Sequence, residues 1–340
     1  MYRILLIPFI LFFVSCKGNN EGNLNEAGND SIKLDSLSWF NKKVNANPTN
    51  LFVLFERAKF HLRKSQVDFA QLDLETYLKK DSANFEVHKL YGDIMMAKLD
   101  LDQSKYHYQY ILTRDSSNTG ALIGLGKLYA LLDNSATALV YFNEALRINP
   151  YLSEPYFMKG MLYRADFYKT DREESWNLAV SSFQTAVEQD PNNYSAYVQL
   201  GVMYDQIGDS TALDYYNSAL DIYPESIEAW YNKGMFFQNR NKIEQSLECY
   251  RTIHKIDSTW ADPYYNEGYV HLLITEEIDS AIYFFTRAIE WDPTFYQAFN
   301  NLGLAYEKKN DISNAKFYYT KAIEINPDFK LAKDNLNRLQ

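Results

Sequence analysis

Cysteine is nearly missing from this chain. Cys16 and Cys249 are the only two among 340 residues, which excludes a disulfide framework and a cysteine-based zinc site. Glycine and proline are scarce too, at 13 and 9 residues, so neither a turn-rich all-β fold nor wholesale disorder is expected. Positive charge is short: 34 Lys and Arg face 44 Asp and Glu, a net charge of −10. Such a balance disfavours a nucleic-acid partner, whose phosphates require a basic surface. Long apolar runs are absent as well. Ile4 to Val14 is an apolar stretch of eleven residues interrupted by Pro8, and a bilayer span needs about 20.

Groupings that carry chemistry are missing in the same way. The histidines His61, His88, His107, His254 and His271 are scattered, with no metal-ligand spacing such as H-E-x-x-H. Glycines recur singly, so no phosphate-cradling loop forms. The acidic pairs Glu173-Glu174 and Glu276-Glu277 read as solvated faces or helix starts, and Cys249 as a buried, inert thiol. No enzymatic activity, cofactor or metal is expected. What the chain has in excess is aromatic: 28 Tyr and 21 Phe, within a hydrophobic content of 46% that can bury a sizeable core.

The first 16 residues, MYRILLIPFILFFVSC, join one charge, Arg3, to the short apolar run. That is the form of a signal-peptide core, not of a membrane helix. The ending Phe13-Val14-Ser15-Cys16 resembles the lipobox of bacterial lipoproteins, with Phe13 where Leu is usual. The resemblance implies cleavage after residue 15 and lipidation of Cys16, giving a membrane anchor through acyl chains. Lys17 after the cysteine implies the outer membrane, facing the periplasm. Residues 16–30 read as a Gly/Asn-rich tether with a reach of about 20 Å, and residues 31–50 as an N-terminal helical segment.

Beyond residue 50 the chain repeats itself. Small residues recur at Ala58, Gly92, Gly126, Gly160, Gly201, Gly234, Gly268 and Gly303, spaced by 34, 34, 34, 41, 33, 34 and 35 residues. A second ladder runs through Ala70, Ser104, Ala138, Ala179, Ala212, Ser246, Ala281 and Ala315. Four residues after each stands Leu74 or an aromatic, from Tyr108 to Tyr319. Pro150, Pro191, Pro224, Pro293 and Pro327 close repeats, since the residue before Pro disfavours the α region. The pattern resembles the tetratricopeptide repeat. It implies an all-α, right-handed superhelical solenoid of about eight helix-turn-helix units over residues 51–329, starting at 51, 85, 119, 153, 194, 227, 261 and 296. Residues 330–340 read as a capping helix. The small residue lets the two helices of a unit approach, and the aromatic is expected to fill the gap to the next unit. The fourth unit is seven residues over the period. Its surplus, between Asp166 and Ala179, either lengthens both helices or protrudes as a loop, and Phe167, Tyr168 and Trp176 either pack on a neighbour or meet a partner.

The resemblance also implies that positions 2, 5, 9, 12 and 13 of each unit line a groove. There stand Phe157, Met161, Val198, Val202, Tyr231, Met235, Tyr265 and Tyr269, the candidate contacts for an apolar or mixed peptide or helix. Position 6 carries Asn232, Asn266 and Asn301, but position 5 offers no paired bases, so a clamp for a terminal carboxylate is disfavoured. The expected function is a non-catalytic, membrane-anchored adaptor in the bacterial envelope, with a protein or peptide partner of unidentified sequence. Two alternatives stay open. One is a carbohydrate or small-ligand binder using Trp230, Trp260 or Trp291, and the other is a structural subunit of an envelope complex.

Overall fold

The computed structural model describes residues 37–340, so Cys16 and the preceding leader lie outside the described residues. Among the described residues there are eighteen α-helices and no strand. A single helix, α1 (Leu37–Ala46), leads into paired helices. The pairs are α2 (Leu51–Arg63) with α3 (Val67–Leu78), α4 (Phe85–Ala97) with α5 (Leu101–Leu112), α6 (Thr119–Leu131) with α7 (Ser135–Ile148), and α8 (Ser153–Thr170) with α9 (Glu173–Gln189). They continue as α10 (Tyr194–Gln206) with α11 (Ala212–Ile222), α12 (Ile227–Asn239) with α13 (Ile243–Ile256), α14 (Ala261–Leu273) with α15 (Ile278–Trp291), and α16 (Tyr296–Lys308) with α17 (Ile312–Ile325), before α18 (Lys330–Arg338). The first helices thus begin on the residues from which the eight periods are counted. None of the described helices is long and apolar enough to cross a membrane. The helices form two compact units, one through Gln189 (α1–α9) and one from Asp190 (α10–α18).

Short polar residues set these starts. The side chains of Asn50, Asn84, Asn118, Asn193 and Ser226 accept the backbone N–H three residues on, at 3.0–3.2 Å. Each satisfies one of the orphan donors of a helix N-terminus. Every hairpin then turns through one residue of positive φ: Ser65, Leu99, Asp133, Asp171, Gly208, Asn241, Glu276 and Asn310. Only one of the eight is glycine.

Within each repeat after the first, which has Ala58 and Leu74 instead, a glycine of the first helix meets an aromatic ring of the second. A Cβ added to Gly126 would lie 2.4 Å from Phe142 Cε1, and one on Gly201 would lie 2.4 Å from Tyr216 Cε1. The aromatic closes on the small residue of its own repeat and also packs against the next, as Tyr108 does at Gly124, Tyr216 at Phe236 and Phe285 in the cluster with Leu302. Small ladder residues such as Ala138 and Ala179 are fully buried, as are Phe142 and Phe183. Such close approach maximises dispersion contacts and leaves no room for a methyl group.

Both ends of the described chain are covered. Phe40 of α1 is buried against Phe60, with ring centroids 5.6 Å apart. At the other end Asn335 of α18 donates to Asn300 Oδ1 at 3.0 Å, and Arg338 holds Glu307. The surplus in the fourth repeat lengthens both helices: α8 has 18 residues and α9 has 17.

Candidate interaction surface on the first helices

In the second unit the first helices are joined by a repeated hydrogen bond. Asn266 Nδ2 on α14 donates to Tyr231 Oη on α12 at 3.2 Å, and Asn301 Nδ2 on α16 donates to Tyr265 Oη on α14 at 3.1 Å. Tyr231 also packs on Trp260, and Tyr265 on Phe295, each at 4.8 Å between centroids. Burial first, then nearby Asp262, pushes the Tyr231 hydroxyl up to about 12. Tyr265 is also raised, chiefly by burial. Both phenols are therefore neutral and fixed. Met235 is held beside them, its Sδ 3.3 Å from both Asn266 Nδ2 and Tyr250 Oη.

The eight candidate residues divide by depth. Tyr269 is the most open, at 36% exposure. Phe157, Val202, Tyr231, Met235 and Tyr265 are half-buried. Val198 and Met161 are corrections: at 1% and 9% exposure they belong to the interior. Val198 packs with Ala219, Leu220 and Ala229. A valine is too short to reach past the helix contact, whereas tyrosine at the same repeat position brings its edge to the surface. Sequence reading passed over the tyrosine–asparagine ladder. Its signal was a Tyr at position 5 followed 35 or 36 residues later by an Asn at position 6.

The first unit meets the same face with charge. Lys89 pairs with Asp93 at 2.9 Å on α4, and Lys127 of α6 pairs with Glu154 of α8. Deeper in, Arg57 grips the buried Asp73 through Nε and Nη2.

Two histidines read as scattered in fact meet. His88 Nδ1 and His107 Nδ1 are 2.8 Å apart and buried, and His88 Nε2 lies 2.9 Å from the Ser82 carbonyl. In the second unit His254 Nε2 lies 3.3 Å from Glu267 Oε1, a carboxylate only 2% exposed. Among the described residues no three His, Cys, Asp or Glu side chains are placed to hold a metal ion. Burial raises the Cys249 thiol to about 12, so it is protonated and unreactive at neutral pH. Of the three tryptophans considered for sugar stacking, Trp230 donates its indole N–H to the Pro224 carbonyl and Trp260 packs at a tilt against Tyr231. Trp291 is exposed.

Comparison with known proteins agrees with this architecture. Profiles described as tetratricopeptide repeat match residues 119–151, 182–212, 227–259 and 296–329. The chain is 26% identical to the BBSome complex member BBS4 of Bos taurus, over 64% of this chain and 40% of that protein. It is 23% identical to the Protein O-mannosyl-transferase TMTC3 of Homo sapiens, over 53% of this chain and 20% of that protein. The chain therefore spans less than half the length of these relatives. Among solved structures, the APC/C hetero-tetramer Cut9–Hcn1 superposes with a TM-score of 0.56 at 16% identity, covering 88% of this chain and 57% of that one. That likeness is one of fold.

Proposed function

We propose, from the premise that this chain belongs to the tetratricopeptide repeat family, that it is a non-catalytic interaction scaffold binding an apolar or mixed peptide segment on the first helices of its second unit. The observation that carries this reading is the Asn266–Tyr231 and Asn301–Tyr265 ladder. It fixes the rings before any partner arrives, so binding costs little ordering entropy. Met235 and Tyr269 beside it offer adaptable apolar surface. BBS4 is by name a member of the BBSome complex, in keeping with a scaffold role. In the cell, Cys16 would carry the lipid that anchors the scaffold in a bacterial envelope, at the outer membrane facing the periplasm.

A photo-crosslinking side chain placed at Tyr269 tests the binding face in cells. One protein should be captured there, and not with the crosslinker at Glu248 on α13. Met235→Ala should reduce that capture while leaving helicity unchanged. Equal capture at both positions, or none at Tyr269, overturns the reading. The anchor is tested separately: Cys16→Ala should move the chain from the membrane fraction to the soluble one, and retention in the membrane would refute lipidation.

A further inference from the structure

The seven surplus residues of the fourth repeat do more than lengthen two helices. The extensions of α8 and α9 stand beside the start of α7 and enclose an open cleft of about 340 Å³. Its apolar lining comes from Leu139 on α7, Leu162 and Ala165 on α8, and Leu178 on α9. Leu178 is 40% exposed, a large apolar side chain turned toward an unfilled space. That volume lies at the lower end of ligand pockets, which run from about 300 to 1,000 Å³. It suits one or two side chains rather than a whole helix.

The charges around this cleft are not balanced. Lys169 is engaged by Asp133 at 3.1 Å, and Arg172 by Asp166 at 2.6 Å. Asp166 also accepts from Ser175, and these two bonds hold its carboxyl below the usual range. Both cations line the cleft and are paired, Lys169 across to the α6–α7 turn and Arg172 within the α8–α9 hairpin. The exposed carboxylates of Asp171, Glu173 and Glu174 have no ion pair among the described residues, and Glu174 lines the cleft itself.

We propose that this cleft is a second docking site, separate from the tyrosine–asparagine face, for a short basic amphipathic segment. A leucine-like side chain of the partner enters between Leu139, Leu162 and Leu178. A neighbouring lysine or arginine meets Glu174, with Glu173 and Asp171 adding long-range attraction. The apolar insertion supplies affinity, and the carboxylates select the sign of the flanking charge. An acidic segment is rejected by the same rim that attracts a basic one.

The test uses the purified full chain and three fluorescein-labelled peptides, read by fluorescence anisotropy at physiological salt. One peptide alternates leucine with lysine, one leucine with glutamate, and one serine with lysine. The leucine–lysine peptide should bind at least about tenfold more tightly than either control, a difference of about 1.4 kcal/mol. Leu178→Asp and Glu174→Lys should each weaken it by about tenfold, with helicity monitored by circular dichroism. Leu178→Ala provides a milder variant should the aspartate disturb folding. Glu276→Lys with Glu277→Lys, which removes acid from another hairpin, should leave binding unchanged. Equal binding of the serine–lysine peptide would reduce the effect to bulk acidity and overturn the proposal. Binding insensitive to both Leu178 and Glu174 would overturn it too, as would no binding at all.

Discussion

The two units join successive first helices with different chemistry. In the first, Lys127 meets Glu154 across the joint, and the interior behind α4 and α5 holds a histidine pair. In the second, asparagine amides reach phenols or another amide, Asn266 to Tyr231, Asn301 to Tyr265 and Asn335 to Asn300, while ion pairs join α10 to α12 (Asp205–Arg240) and accompany the amide between α16 and α18 (Glu307–Arg338). The repeat period fixes where a helix lies and leaves the chemistry of its joint free. Neutral joints do not respond to pH near neutrality or to screening by salt, whereas charged and titratable ones do. Between the α6–α8 joint and the α12–α14 and α14–α16 joints, the difference is therefore one of response as well as of composition.

Acid should separate the two units most strongly. The Ser82 carbonyl requires a proton on His88 Nε2, so His88 Nδ1 accepts and His107 Nδ1 donates. Around the pair stand Tyr91 and Tyr110, with Arg114 disfavouring and Asp81 favouring protonation of His88. Burial, then the charge of His88, lowers His107 to about 4. Burial also lowers His88. A base depressed in the native state stays neutral while its unfolded counterpart takes up a proton below about 6.5. The unfolded state then binds more protons, so stability falls as pH drops from about 6.5 to 4 and levels off below. For His107 the loss is on the order of 2 kcal/mol, allowing for partial solvent relaxation. Hydrogen exchange followed from neutral pH to about 4.5 should show α4 and α5 losing protection, with α12, which carries no histidine, changing less. His88→Gln with His107→Gln should flatten the profile of α4 and α5. An unchanged profile in that variant would assign the acid response to other groups.

The second unit is tested by removing an amide. Asn266→Ala strips the hydrogen bond from a half-buried phenol and the contact from Met235. The expected loss is about 1–2 kcal/mol, the cost of leaving a buried polar group partly unsatisfied. Urea unfolding at low and high salt should return the same loss, because no charge is involved. A loss that shrinks with salt would show that an electrostatic contact had been disrupted instead.

The repeat itself was legible because its smallest residues could not be anything else. Gly126 and Gly201 stand where a ring already fills the space of a Cβ, and that constraint recurs at a countable interval. The lengthening of α8 and α9 was half legible. The stretch DFYKTDREESWNL contains neither Gly nor Pro, so nothing in it breaks a helix, and Asp171 takes the left-handed turn that glycine takes at position 208. Depth was harder to read. Position alone put Val198 beside Tyr231 and Tyr265, although side-chain length decides which of them reaches solvent. The His88–His107 contact was hidden for another reason. The two residues are 19 apart on different helices, and only the crossing of α4 and α5 brings their Nδ1 atoms together.

The smallest expected effect is at the charged joint of the first unit, and its salt dependence matters more than its size. Lys127 keeps a side-chain exposure of 19% and Glu154 one of 51%, so water screens the pair from one side. Such pairs contribute about 0–1 kcal/mol. Lys127→Met keeps most of the apolar stem, which packs along the helix, and removes only the ammonium. The variant should lose about 0.5 kcal/mol at low salt and almost nothing at about 1 M, where the Debye length falls to about 3 Å. Convergence of the two proteins at high salt would identify the joint as electrostatic. A constant difference would instead mean that the lysine stem holds α6 to α8 by packing, and the contrast between the units would then lie in side-chain shape rather than charge.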